Sequence, residues 1–140
     1  MMNTSLLTDI NWLAVAVAAI AYFALGAVWY SALFGKQWVT YQGINMQDAE
    51  AKKGVGAIMA SSFLLMFVAV ICIAILVERL QLYQAISGVK LGLLTGIGFA
   101  VTSISISYLY VKKPLGLHLI GGLYHVIGNI IAAIILCVWQ

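Results

Sequence analysis

The sequence predicts an all-α fold, a bundle of four transmembrane helices, and three observations lead to this prediction. Of the 140 residues, 64% are hydrophobic and 8% are charged, whereas a soluble domain has about 45–50% apolar and about 25% charged residues. Four segments are long and apolar enough to cross a bilayer, which takes about 20 residues in a helix. With one proline and no low-complexity tract, nothing divides the chain. We therefore expect residues 1–140 to form a single integral membrane domain.

Each predicted span is too long and too uniformly apolar to be a strand. The first is preceded by MMNTSLLTDI, which has no lysine or arginine. Because the start of a cleaved signal peptide is positively charged, we expect this first helix to stay as an anchor. The third span carries Lys90 close enough to its end for the ammonium group to reach the membrane surface. The four spans are predicted over residues 11–34, 55–77, 86–111 and 115–139.

The long connection, residues 35–54, is predicted to begin with an interfacial segment, GKQWVTYQG. Trp38 and Tyr41 would dip into the membrane while Lys36 faces anionic headgroups. NMQDAEAKK, residues 45–53, is then predicted to start a helix with Asn45 as its N-cap, as a solvated lead-in to the second span. A gating or partner-binding loop is the alternative.

The basic residues predict the orientation of the chain. They lie mainly in the connections after the first and third spans, and the opposite side has only Arg79 and Lys90. The positive-inside rule therefore places those connections in the cytoplasm and both termini outside it, in a multi-pass protein of the cell membrane. Nucleic-acid binding is not expected, because the charges do not gather on one face. The residues that set this bias are Lys36, Lys52, Lys53, Lys112 and Lys113.

The third span carries small residues at helical spacing. Small residues allow helices to approach each other closely in lipid, where there is little hydrophobic force between them. We expect this stripe to pack against another helix, or to join subunits of a homo-oligomer if the bundle does not use it. A pore lined by Thr95, Thr102, Ser103 and Ser107 is the alternative. The stripe is the ladder Gly88, Gly92 and Gly96, continued by Ala100, Ser103 and Ser107.

The fourth span includes GLHLIGGLYHVIGN, residues 116–129, whose polar groups fall within about 40° of one line along the helix. This polar seam should face other helices, because an unsatisfied polar group in hydrocarbon costs several kcal/mol. The candidate partners are the serine face of the third span and Tyr22 or Tyr30 of the first. The seam consists of His118, Gly122, His125, Asn129 and Ala132.

His125 is the most unusual residue of the seam, since it lies about 15 Å along the span and near the midplane. Burial disfavours the charged imidazole, so we expect a neutral ring with one donating and one accepting nitrogen. His118 lies within about one turn of the cytoplasmic end. A structural role as a satisfied helix contact stays open for both histidines. The residues of a candidate substrate or proton site are His125, Asn129, Tyr124, His118 and Ser103.

Several kinds of chemistry are not expected. There is no nucleophile–base–acid set and no phosphate-binding glycine loop, so we predict no enzyme, no catalytic residue and no cofactor. His118 and His125 are about 10.5 Å apart along the helix, too far to share a metal ion, although an oligomer could bring copies of His125 together. Small proton-coupled drug exporters depend on a carboxylate inside the first helix. Here all four acids lie at the ends of spans or in connections: Asp9, Asp48, Glu50 and Glu78. Cys72 and Cys137 are predicted to be free, buried thiols.

With these residues laid out, the chain resembles the bacterial membrane proteins of domain-of-unknown-function family 1761. The resemblance is carried by NWLAVAVAAI (11–20), LGAVWYSALFGKQW (25–38) and PLGLHLI (114–120). It implies a four-helix integral membrane protein and assigns no reaction. The motif positions it implies are Trp12, Trp29, Tyr30, Ser31, Gly35, Lys36, Trp38, Tyr124 and His125.

The favoured function is a small oligomeric, transport-like or channel-like role centred on His125, with the lipid bilayer as partner and an unknown small molecule or ion as substrate. A transport role predicts a water-accessible cavity that reaches His125. The alternative is a non-catalytic accessory or assembly protein, or one that senses lipid through residues 36–53, which predicts a dry bundle. The third class, an intramembrane redox or metal-binding protein, predicts visible absorbance.

Overall fold

The computed structural model describes residues 7–45 and 53–140, and it is all-helical over these ranges. Within these ranges lie four helices long and apolar enough to cross a membrane, which confirms the predicted class. Their bounds lie within three residues of the predicted ones, since hydropathy and length are properties of each segment alone. The four spans are Trp12–Leu33, Val55–Leu80, Ala85–Tyr110 and Leu115–Val138.

Two of the spans are continuous α-helices, and two contain a π-helical turn. In chain order the segments are α1 (Trp12–Val28), a first π-helical turn (Trp29–Leu33), α2 (Gly35–Gln42), α3 (Val55–Leu80), α4 (Ala85–Thr95), a second π-helical turn (Gly96–Val101), α5 (Thr102–Tyr110) and α6 (Leu115–Val138).

The bundle is built around α6, which contacts all three other spans. Small residues of α6 allow this close approach, and Ala132 and Ala133 are fully buried. The start of α1 and the end of α6 are joined by Asn11, whose Oδ1 accepts the backbone N–H of Ala14 and whose Nδ2 donates to the carbonyl of Trp139. Three residues of the polar seam, Gly122, Asn129 and Ala132, are buried against neighbouring helices, and the two histidines are half-buried.

The glycine ladder of the third span packs directly on the backbone of α6. A Cβ atom on Gly92 would stand 2.4 Å from the Cα of Ile130, and one on Gly88 would stand 2.7 Å from the Cα of Ile134. Gly96 has the same relation to Val126. The ladder is thus occupied within one chain and is not free to join subunits.

The stripe does not continue along Ser103 and Ser107 as predicted. The second π-helical turn inserts an extra residue at this point, which shifts the face of every later residue by one position. Val101 and Ile104 contact α6 instead, 3.3 Å and 3.2 Å from the Cβ positions of Gly122 and Gly121. Ser103 and Ser107 are exposed on the outer surface.

The predicted interfacial segment begins with α2, which leaves the first span at a sharp turn. A Cβ on Gly35 would stand 2.8 Å from the carbonyl oxygen of Tyr30, so a glycine is needed there. The ring of Tyr41 packs on Gly116 at the start of α6, where a Cβ would be 2.4 Å from the ring. This contact ties α2 to the fourth span. The rest of the connection lies largely outside the described residues.

The second span packs closely only in its second half. Its buried residues all lie there: Val70, Ile73, Ala74 and Val77. In the first half, most side chains are exposed, although Phe63 packs edge-to-face on Phe23 of α1. Both cysteines are free, as predicted, but only Cys137 is buried. Cys72 is exposed, contrary to the prediction.

Gly92→Ala tests the ladder. We expect it to lower the free energy of unfolding by about 1–3 kcal/mol, because the new methyl group overlaps the backbone of Ile130. Gly56→Ala is the matched control, since nothing lies within 4 Å of a Cβ at that helical position. It should be neutral or slightly stabilising. The measurement is unfolding of both variants in mixed micelles, and equal stabilities would contradict the packing.

Candidate functional site

The centre of the candidate site is a hydrogen bond between α1 and α6. The hydroxyl of Tyr22 lies 2.6 Å from Nδ1 of His125. Tyr22 is only 3% exposed, and its ring lies on Gly128, where a Cβ would be 2.5 Å from the ring. A side chain at position 128 would therefore push the Tyr22 hydroxyl away from the imidazole.

Asn129 links this pair to the third span. Its Nδ2 donates to the backbone carbonyl of His125 at 2.6 Å and to the Tyr22 hydroxyl at 3.3 Å. Its Oδ1 accepts from the hydroxyl of Thr95 at 2.9 Å, and the carbonyl of Leu91, also 2.9 Å from that hydroxyl, is a second acceptor for the same single proton. One side chain thus joins three spans. We name Tyr22, Thr95, His125 and Asn129 the polar cluster.

One nitrogen of the polar cluster is left open. Nε2 of His125 has no hydrogen-bond partner among the described residues. Every fully buried side-chain nitrogen or oxygen in the described part of the chain has a hydrogen-bond partner. Nε2 of His125, which lacks a partner, is therefore not fully buried.

The position of His125 on α6 shows where this opening lies. His125 is about 60° around the helix from Gly122 on one side and from Gly128 on the other. Gly122 contacts Val101 of the third span, and Gly128 contacts Tyr22 of the first. In the described part of the chain, the first and third spans pack on α6 more than on each other. The imidazole therefore lies on the face of α6 between these two spans.

The buried ring of Tyr124 packs against Tyr22 and His125 of the polar cluster. Its ring centroid lies 4.8 Å from that of His125, 5.4 Å from Tyr22 and 5.2 Å from Tyr30. Its hydroxyl stands over Gly26, where a Cβ would be 2.8 Å away. Tyr124 is 5% exposed, so it acts as a packing residue of the site and not as part of its open edge.

Two predicted site residues lie apart from the polar cluster. His118 is half-buried and packs edge-to-face on Tyr108, with ring centroids 5.4 Å apart. Ser103 is exposed because of the register shift at the second π-helical turn. From the sequence, Thr95 is predicted only as a residue of a possible pore. Its place seven residues, or about two helical turns, after Gly88 could have indicated that it faces α6.

The WYS…FGK…W string forms a second feature, at the end of the first span. Trp29 donates from its indole nitrogen to the carbonyl of Ile120, 3.0 Å away, and the ring of Tyr30 contacts Trp38 edge-to-face. The hydroxyl of Ser31 donates to the carbonyl of Ala27. The string borders an open cleft of about 480 Å³, lined by Tyr30, Ser31, Gly35, Lys36, Val39 and Thr40.

Neither this cleft nor the smaller one beside Asn11 and Glu78 reaches His125. The site at His125 is therefore not part of either cleft. Within the described ranges, no three His, Cys, Asp or Glu side chains are close enough to hold a metal ion together.

A double-mutant cycle tests the link between the third and fourth spans. Thr95→Val and Asn129→Leu should each destabilise the protein. The coupling free energy between the two substitutions should be about 0.6 kcal/mol, and about 1.7 kcal/mol at most. Thr102→Val is the matched control, because Thr102 is exposed and bonds only within its own span. Its coupling to Asn129→Leu should be near zero in the same unfolding experiment. Equal couplings for the two threonines would contradict the network.

Comparison with known proteins places these residues in a family. The model for the family described as a protein of unknown function, DUF1761, matches residues 13–137, which include the whole polar cluster and the WYS…FGK…W string. No curated protein and no solved structure matches the chain. The match confirms the resemblance seen in the sequence. The chain therefore belongs to the DUF1761 family of proteins of unknown function.

Proposed function

We propose that this protein is a non-catalytic, transport-like membrane protein that binds a small molecule at Nε2 of His125. The observation that carries the proposal is that this nitrogen is open while its ring is held on the other side by Tyr22. An ionisable residue within a membrane span is costly and marks a functional site by default.

A purely structural histidine would be expected to satisfy both of its ring nitrogens inside the bundle. An unsatisfied polar group in hydrocarbon costs several kcal/mol, so an open imidazole nitrogen is expensive. Asn129 and Tyr22 satisfy the other polar atoms of the polar cluster. Nε2 of His125 still has the free-energy cost of an unmade hydrogen bond, and a bound molecule would offset that cost.

The position of the opening supports entry from the lipid side. His125 lies at the junction of the first and third spans, and the two clefts are elsewhere. The hydroxyls of Thr102 and Ser107 bond to carbonyls of their own span on the exposed surface, an arrangement that does not favour a pore through a single chain. Neither cleft is the water-accessible cavity at His125 that a transport role predicts. We therefore favour binding of a molecule from the lipid side over a channel.

A second candidate function is a membrane accessory that assembles with copies of itself. It is favoured by α3, whose first half is exposed and includes Leu64 and Leu65, 65% and 73% exposed. Both proposals include an orientation of the chain with both termini outside the cytoplasm. This orientation is inferred from the positions of the basic residues.

Comparison of His125→Ala with His118→Ala tests the favoured function. Organic extracts of the purified variants, made in identical membranes, are compared by mass spectrometry. We expect a small molecule to be retained by the native chain and by His118→Ala, and to fall about tenfold or more in His125→Ala, because its hydrogen bond to Nε2 is lost. Both variants must be shown to be monodisperse and helical. Identical extracts from native and His125→Ala protein would refute the proposal.

Cysteine crosslinking tests the self-assembly proposal. In a chain with Cys72→Ser and Cys137→Ser, Leu65→Cys should form disulfide-linked dimers in membranes. Phe99→Cys, 68% exposed in the third span, is the control. Equal crosslinking of the two positions would indicate random collisions and contradict an interface at α3.

A further inference from the structure

The hydrogen-bond directions in the polar cluster determine what kind of molecule Nε2 of His125 can bind. They can be followed from one fixed acceptor, the backbone carbonyl of His125. A carbonyl oxygen only accepts, so the atom of Asn129 that lies 2.6 Å away must be its amide nitrogen. The amide oxygen then faces Thr95, which can donate to it.

This orientation determines the direction of the next bond. The same amide nitrogen lies 3.3 Å from the Tyr22 hydroxyl, and it can only donate to that oxygen. The other contact of the hydroxyl is Nδ1 of His125, at 2.6 Å. The phenolic proton of Tyr22 therefore goes to Nδ1, which acts as the acceptor.

A neutral imidazole carries one proton, so with Nδ1 accepting, the proton is on Nε2. The open edge of the site is thus an N–H donor. A metal ion needs a ring nitrogen with a free lone pair, and this tautomer offers none at the open edge. A cationic molecule needs a hydrogen-bond acceptor, and at this edge it would meet the donor Nε2–H.

From this geometry we infer that the ligand is a neutral, lipid-soluble compound whose carbonyl oxygen accepts a hydrogen bond from Nε2–H of His125. The inference rests on the proposed function and names its substrate class. The ligand must be neutral and apolar because it reaches the site from the hydrocarbon region, where charge is costly. It needs an acceptor oxygen because the N–H of His125 otherwise has no partner.

Nitrogen-15 NMR of histidine-labelled protein in lipid nanodiscs tests the tautomer directly, without any ligand. His118→Gln removes the second histidine and assigns the signals of His125. We expect Nε2 to be protonated and Nδ1 to be unprotonated. Protonation of Nδ1 in the ligand-free protein would overturn the inference, whatever the protein binds.

Binding is then measured with 2-decyl-1,4-benzoquinone as the carbonyl probe and decylbenzene as the matched probe without oxygen. The quinone should shift the Nε2 signal in a saturable way, and decylbenzene should not. Tyr22→Phe frees Nδ1 and should weaken quinone binding about tenfold, because the tautomer is no longer held. The tautomer measured on the native protein does not depend on the folding of this variant.

Two further outcomes would overturn the substrate class. One is a Zn²⁺ titration that shifts Nε2 in place of the quinone, and the other is an equal response to both decyl probes. Neither result tests the proposed function. The proposed function fails only if His125→Ala retains the same molecules as the native chain. The two failures are therefore distinguishable.

Discussion

The hydrogen bond between Tyr22 and His125 is the interaction on which the candidate site depends. In hydrocarbon there is no water to satisfy a polar side chain, so each such group must find a partner on a neighbouring helix. Tyr22 supplies that partner to one nitrogen of the imidazole and leaves the other open. A single contact between α1 and α6 thus both positions the ring and determines which of its nitrogen atoms is left without a partner.

The backbone around this contact is arranged so that the helices approach closely. The ladder of Gly88, Gly92 and Gly96 lets the third span lie against the backbone of α6, which brings Thr95 within reach of Asn129. Gly128 does the same for the ring of Tyr22. Small residues in this bundle therefore serve the polar cluster as well as the packing.

Much of this arrangement could be predicted, and the exceptions have physical causes. The spans followed from hydropathy, and the polar seam of α6 followed from helical spacing, with Tyr22 named among its candidate partners. Ser103 was misplaced because a π-helical turn changes the facing residues without any signal in hydropathy. Cys72 was predicted to be buried but is exposed, because the exposure of a residue in a span depends on whether a neighbouring helix covers that residue.

The sequence by itself determined that this is a four-span, all-helical membrane protein with a costly histidine in its last span. These properties depend on the length and polarity of each segment, which are local. Only the tertiary structure decided that Tyr22 holds Nδ1, that Asn129 bridges to Thr95 and that Nε2 is open. Those facts depend on the rotation and register of helices relative to one another, which no single segment encodes.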